Sequence, residues 1–231
     1  MSISTPVDVR ADLIRVAYAR VRADGVNSLQ ARRITKEAGV STTAVYTHFD
    51  GMAGLLLAVA AQAFADFSAA IDAPELTADP LADLLASGIA YRNFAACEPF
   101  AYELLFNRYV SARGPGMRTE FTTAFLPLDD PVGDTAWSHI RRRVEAVIEA
   151  GIITEPNADV ATTQLWCGLH GFVCLDIAGH LGPDYQVPVF QGLAFSLLVG
   201  LGADRSDVAS AIGRAVERVP LAVWTAGGHD A

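Results

Sequence analysis

Apolar residues recur along this chain at intervals of three and four, the period of a helix buried on one side, and no segment alternates with the period of two that marks a strand. Leu13, Ile14, Ala17 and Val21, flanked by Tyr18, predict a first helix over about Val9 to Ala23, stopped by Asp24-Gly25. Two short helices follow, about 31–38 with Ile34 inward and 42–47 with Val45 inward. Gly39 stands where a helix end needs positive φ, Val40 plugs the corner, and Ser41 is the expected cap of the second helix. Ser28 is the expected cap of the first of the two, ahead of Gln30. A long apolar helix is predicted from Met52 to about Ala70, through Leu55, Leu56, Val59, Ala63, Phe64 and Phe67.

The remainder reads as helices throughout. Asp79-Pro80 opens one to about Ala96, with Asp79 as cap, and Phe100 to Val110 makes another. A loop at 112–118 and a short helix at 120–128 come next. Thr135 to Ala150 is amphipathic, with Trp137, Ile140, Val144 and Val147 on one face and Arg141 to Arg143 on the solvated one; Gly151 ends it. Asn157 caps a helix to about Gly179. Pro183 is read as a break, Pro188 as the start of the next helix to about Gly200, and Ser206 to Val219 as the last, before a frayed tail. The fold class is all-α: an N-terminal three-helix DNA-binding domain with a helix-turn-helix (residues 1–50) and a larger helical domain (51–231), which family resemblance implies is a ligand-binding and dimerisation domain.

Composition narrows the function. With 231 residues, 52% of them hydrophobic, the chain has ample material for a core. No apolar run approaches the roughly 18 residues of a membrane span, the longest candidate being Leu193 to Leu201, interrupted by Ser196 and Gly200, and no signal peptide is evident, so no membrane partner is expected and the location read is cytoplasmic. Cys97, Cys167 and Cys174 form no C-x-x-C pair and read as buried, reduced thiols; no metal site and no cofactor are called. The net charge of −9 is unevenly spread: residues 1–50 carry seven basic and five acidic side chains, the rest ten and twenty-one. A basic head on an acidic body keeps a nucleic-acid surface local.

The segment from Ala31 to Phe49, ARRITKEAGVSTTAVYTHF, resembles the DNA-binding segment of TetR-family transcriptional regulators, on its A-G-V-S corner and Y-x-H-F tail. Gly51, Met52, Gly54 and Leu55, with Trp166, His170 and Gly171 in a W-x-x-x-H-G pattern, resemble one subgroup of that family. The resemblance implies a homodimeric bacterial repressor acting on double-stranded DNA with a palindromic operator, nucleoid-associated when bound, and released by an unidentified small apolar or aromatic effector. It also implies a second helix lying in the major groove. Ser41 is assigned to the DNA-binding surface as the start of that helix, Thr42, Thr43 and Ala44 to base edges, Tyr46 and His48 to phosphate, and Arg32, Arg33 and Lys36 to phosphate neutralisation. Met52 stands where the family usually has a lysine, so backbone N–H groups are left to hold a phosphate there. Phe94, Tyr102, Phe106, Tyr109, Phe125, Trp137, Trp166 and His170 are the expected effector contacts. Leu169, Phe172, Leu175, Phe190, Leu193 and Leu197 are the expected dimer contacts. No catalytic residue is called, since nothing is spaced to serve His170 as nucleophile or acid.

Overall fold

In the computed structural model, which describes residues 8–106 and 131–222, the helices are α1 (Val9–Asp24), α2 (Ala31–Glu37), α3 (Thr43–Phe49), α4 (Met52–Asp72), α5 (Pro80–Cys97), α6 (Pro99–Phe106), α7 (Pro131–Glu149), α8 (Ala158–Ile177), α9 (Pro183–Gly200) and α10 (Arg205–Arg218), with a 3-10 turn at Val26–Ser28. Among the described residues there is no strand. The chain divides into two compact units: residues 8–66 with 98–106, and 67–97 with 131–222. The expected loop at 112–118 and helix at 120–128 lie outside the described residues.

The first unit is built around Leu13, Val16, Ala17 and Val21 of α1, with Ile34, Val45, Phe49, Leu55 and Val59. Asp8 caps α1, its carboxylate accepting from the N–H groups of Arg10 and Ala11, an arrangement worth about 1 kcal/mol. The corner after α2 closes as a Schellman motif. Gly39 has φ 70°, its N–H reaches the Lys36 carbonyl at 3.2 Å, and the Val40 N–H reaches the Thr35 carbonyl at 2.9 Å. Two expected caps are corrected. Ser28 Oγ donates to the carbonyl of Gly25 at 2.6 Å, so it closes the 3-10 turn, and α2 begins at Gln30 without a side-chain cap. Ser41 does not cap α3 through its side chain: Thr42 is the capping residue, already in helical conformation, and the Ser41 carbonyl accepts from the Ala44 N–H at 3.0 Å.

Between α3 and α4 the chain turns through Asp50, in the left-handed region at φ 55°. The turn is so tight that a Cβ on Gly54 would lie 1.8 Å from the Phe49 carbonyl oxygen. α4 is long and apolar enough to cross a membrane by length and composition, contrary to the expectation that no apolar stretch approaches a span. Its apolar residues Leu55, Val59, Ala60, Ala63, Phe64, Phe67 and Ile71 are buried against protein instead. Tyr18 of α1 donates to Asp66 of α4, and burial with that carboxylate pushes the Tyr18 hydroxyl well above its ordinary pKa.

In the second unit α5 is buried along most of its length, against α7, α8 and α10. Asp79 caps α5 as expected, accepting from the Ala82 N–H at 3.0 Å, and Asn157 caps α8. α10 is tied back by Arg214 to Asp79 at 2.6 Å and Arg218 to Asp83 at 2.7 Å. Three expectations are corrected. α9 begins at Pro183, not Pro188; Pro188 sits inside it, on an exposed face. The missing N–H costs one hydrogen bond, and burial of Gln186 and Phe190 holds the turn helical. Arg143 is not solvated: it is 4% exposed and donates to Asp72 and to the carbonyls of Asp72, Pro74 and His139. The residues after α10 are not frayed as far as Ala222. Asn93 donates to the Pro220 carbonyl and accepts from the Ala222 N–H, while Arg92 donates to the Ala222 carbonyl at 2.7 Å.

Arg92 is also half of a buried ion pair, 3.0 Å from Asp176, with the two side chains 1% and 3% exposed. Burial raises the Asp176 pKa and Arg92 opposes that rise. Removing Arg92 would strand a buried carboxylate, so Arg92→Met is expected to cost about 3–5 kcal/mol in urea unfolding at neutral pH, while Arg92→Met with Asp176→Leu recovers most of it. Gly54→Ala adds helix propensity of about 1 kcal/mol yet forces a Cβ into backbone. The net expectation is a loss of about 1–3 kcal/mol in thermal or urea unfolding.

Candidate nucleic-acid interface and apolar cavity

Seven residues of α3 divide between two environments. Val45 is fully buried and Phe49 7% exposed, on one face. The opposite face carries Thr42, Thr43, Tyr46, Thr47 and His48, all exposed, and Ser41 is exposed just before it; Ala44 is half-buried. Tyr46 is 67% exposed, with its ring beside Gly51. Thr47 donates to the Thr43 carbonyl at 3.1 Å, which commits its proton within the helix. Arg10 packs its guanidinium over the Phe49 ring, 5.2 Å from the centroid.

Charge pairing separates the basic residues of this unit. Arg15 pairs with Asp12, Arg20 with Glu37 and Arg22 with Glu98. Arg32, Arg33 and Lys36, exposed on α2, have no carboxylate within ion-pairing distance among the described residues. They are the cations of α2 left for an external anion; the exposed Arg10 of α1, over the Phe49 ring, is likewise in no ion pair among the described residues. Met52 is half-buried at the start of α4, and Ala53 beside it is exposed.

The expected effector contacts do not converge. Tyr102 and Phe106 belong to the first unit and pack on each other, centroids 4.6 Å apart. Phe94 packs on Phe67 in the second unit at 5.2 Å, and Trp137 is buried in α7. Tyr109 and Phe125 lie outside the described residues. Among the six that are described, Trp166 alone lines a cavity in the second unit, a space of about 80 Å³ walled by α5, α7, α8 and α9. Its walls include Leu84, Gly88, Tyr91, Ile140, Leu165 and Phe190, with no charged side chain.

Ser87 is the lining residue that periodicity passed over. It is 2% exposed, and its hydroxyl has no hydrogen-bond partner in an otherwise apolar space. The available signal was its position: Leu84, Ser87, Gly88 and Tyr91 share the inward stripe of α5, so one polar group had to face inside. His170 stands one hydrogen bond behind the wall. The Tyr91 hydroxyl meets its Nδ1 at 3.0 Å, and Cys174 Sγ lies 3.4 Å from its Nε2. Burial holds the His170 pKa below its ordinary value, so the ring is neutral at pH 7.

Of the expected dimer contacts, Phe172 and Phe190 are buried inside the subunit, ring centroids 5.4 Å apart. Leu169, Leu193 and Leu197 are half-buried and line the cavity, and Leu175 is 50% exposed. The cysteines depart from expectation: all three are free and exposed rather than buried.

A helix-turn-helix with one face of its second helix open to solvent, on a larger helical body, defines a class of DNA-binding regulator. Residues 13–59 match the model for bacterial regulatory proteins of the tetR family, and residues 84–194 match the tetracyclin repressor-like C-terminal domain. The chain belongs to the TetR family, whose members are transcriptional regulators that act as dimers on DNA operators and are not enzymes. An uncharacterized HTH-type transcriptional regulator of Mycobacterium tuberculosis is 24% identical over 203 residues, 87% of this chain and 85% of that one. RolR in complex with resorcinol is similar in fold, with TM-score 0.64 and 22% identity, over 92% of this chain and 95% of that one. So is a protein of unknown function from Rhodococcus sp. RHA1, with TM-score 0.68 and 24% identity, over 87% and 100%.

His170 sets a pH dependence. The unfolded ring takes up a proton near pH 6.5 and the folded ring only at lower pH, so stability falls as pH drops through that value. His139, also held low by burial, adds the same sign. His170→Gln is expected to reduce the loss of stability between about pH 7 and 5.5 in urea titrations.

Proposed function

We propose that this regulator is a cytoplasmic homodimeric repressor whose α3 helices enter successive major grooves of a palindromic operator. Half-sites spaced by about 34–36 Å would suit a two-fold dimer. The observation carrying this reading is the coincidence, on one short motif, of an exposed polar α3 face with the unpaired cations of α2. Ser41 begins that surface, and Thr42, Thr43 and Ala44 meet base edges, hydroxyls bonding to acceptors and methyls to thymine. Tyr46 and His48 position on phosphate, with Arg32, Arg33 and Lys36 neutralising it. Replacing Arg32, Arg33 or Lys36 by Gln is expected to weaken all DNA sequences alike and lower the salt slope by about one per residue. Thr43→Val is expected to change base preference at one position, worth about 1–3 kcal/mol. Binding titrations against selected operators at several salt concentrations check both. Equal loss of affinity for every sequence on changing Thr43 would remove it from the base-reading set.

The effector belongs in the cavity walled by α5, α7, α8 and α9. The lining supports a neutral, largely apolar molecule of about one ring with a polar group for Ser87 and aromatic faces at Trp166 and Phe190. That RolR has been solved with resorcinol, a small aromatic diol, fits this class. Induction requires the ligand to bind the DNA-incompetent arrangement better than the competent one; α4, which runs from α3 into the second unit, is the connection that would carry the change. Ser87→Leu fills the cavity. It is expected to leave operator affinity without ligand unchanged and to abolish release by single-ring phenols, read by fluorescence anisotropy on labelled operator.

A further inference from the structure

His170 serves the cavity without lining it. Trp166 and His170 are four residues apart on α8, so their side chains lie one above the other. The two rings are tilted by only 30°, with centroids 5.3 Å apart. Trp166 lines the cavity from α8 and Tyr91 lines it from α5. The Tyr91 hydroxyl meets His170 Nδ1 at 3.0 Å. One imidazole thus stands behind two aromatic walls, one on its own helix and one on the helix across. Its other nitrogen, Nε2, lies 3.4 Å from Sγ of Cys174, which is exposed on the face of α8 that the subunit leaves uncovered.

Packing alone does not ask for these two polar side chains. A phenylalanine at 170 would back Trp166 without the cost of desolvating an imidazole, and a phenylalanine at 91 would wall the cavity as the tyrosine ring does. What the pair adds is direction. Burial keeps the imidazole neutral, with one nitrogen an acceptor and the other a donor. A phenol donates more strongly than a thiol. Nδ1 is therefore assigned as acceptor of the Tyr91 O–H, and Nε2 carries the ring proton toward the Cys174 sulfur. The Tyr91 ring, 1% exposed, is held at its hydroxyl by His170 and at its side by the Phe67 ring, 5.0 Å away at 75°.

We infer that His170 is a positioning residue of the effector cavity: by holding Tyr91 through Nδ1 and backing Trp166 with its ring, it fixes two aromatic walls, so that the cavity accepts a flat aromatic ring and rejects a saturated ring of the same outline. The inference rests on the effector reading above and adds what selects the guest. Walls locked by packing and hydrogen bonds discriminate by thickness, because neither can yield without breaking a contact. A wall free to turn adapts to both shapes. Phenol and cyclohexanol isolate this difference: each is a six-membered ring with one hydroxyl, uncharged at neutral pH, and the saturated ring is the thicker.

The test is calorimetric titration of the full chain with phenol and with cyclohexanol at neutral pH. It compares the wild type, Tyr91→Phe, His170→Phe and the double variant, each first shown by circular dichroism to keep its helical content. The wild type is expected to bind phenol roughly tenfold tighter than cyclohexanol. Either single variant is expected to shrink that ratio to about threefold or less, on the scale of one hydrogen bond. The double variant shrinks it no further, because both changes break the same contact. A histidine that only supports the fold would weaken both probes together and leave the ratio where it was; that result overturns the inference. So does a ratio lost in His170→Phe and kept in Tyr91→Phe, or a wild type that binds the two probes equally. If His170→Phe does not fold, Tyr91→Phe, which loses one oxygen atom, carries the comparison. Binding of neither probe to the wild type removes the effector reading itself, and the inference with it. Independently of any guest, nitrogen NMR of labelled histidine is expected to show the His170 proton on Nε2 and an Nδ1 signal that moves in Tyr91→Phe; a proton on Nδ1 overturns the acceptor role.

Discussion

The head depends on how seven residues of α3 are shared between core and solvent. Val45 and Phe49 are four apart and go inside together, which obliges Thr42, Thr43 and Tyr46 to point out. The tight turn into α4 fixes that orientation, because Gly54 lets the α4 backbone pass against the Phe49 carbonyl. The outward face is thus a consequence of packing, and its chemistry of small hydroxyls and one large ring is what remains to meet a groove. The same packing leaves Arg15, Arg20 and Arg22 of α1 paired with Asp12, Glu37 and Glu98, and α2 with three uncompensated cations.

The body solves a different problem. Its helices α5, α8 and α9 are apolar on more than one side, so charge inside it is held by local neutralisation. Arg92 and Asp176 pair within the interior, and Arg92 also reaches Ala222 and Gln186, so one guanidinium ties α5, α8, α9 and the segment after α10. Such pairs contribute little net stability over an apolar packing but cost much when half-removed; their effect is to specify one arrangement of these helices. Beside this network lies an apolar space with a single orphaned hydroxyl at Ser87. A buried hydroxyl without a partner carries a desolvation cost of about 1–3 kcal/mol, which a hydrogen-bonding guest would relieve.

Tyr91 and His170 link the cavity wall to the uncovered face of α8. Tyr91 lines the space, and its hydroxyl meets His170, whose other nitrogen lies near the exposed Cys174. A guest that displaced Tyr91 would act on α8 through contiguous hydrogen-bonded side chains.

Local rules sufficed for the elements. The period of apolar residues located every helix that falls among the described residues, and Asp79, Asn157 and Gly39 act at their helix ends as their side chains or conformational freedom dictate. The corner at Gly39 and the exposure of Thr42, Thr43 and Tyr46 were equally legible, since they follow from spacing within nineteen consecutive residues. Pairings between distant segments were not. Whether an arginine is solvated or buried depends on a carboxylate far along the chain, as Asp72 is for Arg143 and Asp176 for Arg92. Aromatic residues of the middle helices looked alike by period, yet Tyr102 and Phe106 went to one unit and Phe94 to the other. Pro188 and the exposed cysteines turned likewise on neighbours that only the folded chain supplies, whereas Ser28 turned on the Gly25 carbonyl three residues before it. Helix positions were set by the sequence alone because they are satisfied within a turn or two; the cavity, the buried charges and the uncovered face were decided by tertiary structure because each is made by side chains brought from several helices at once.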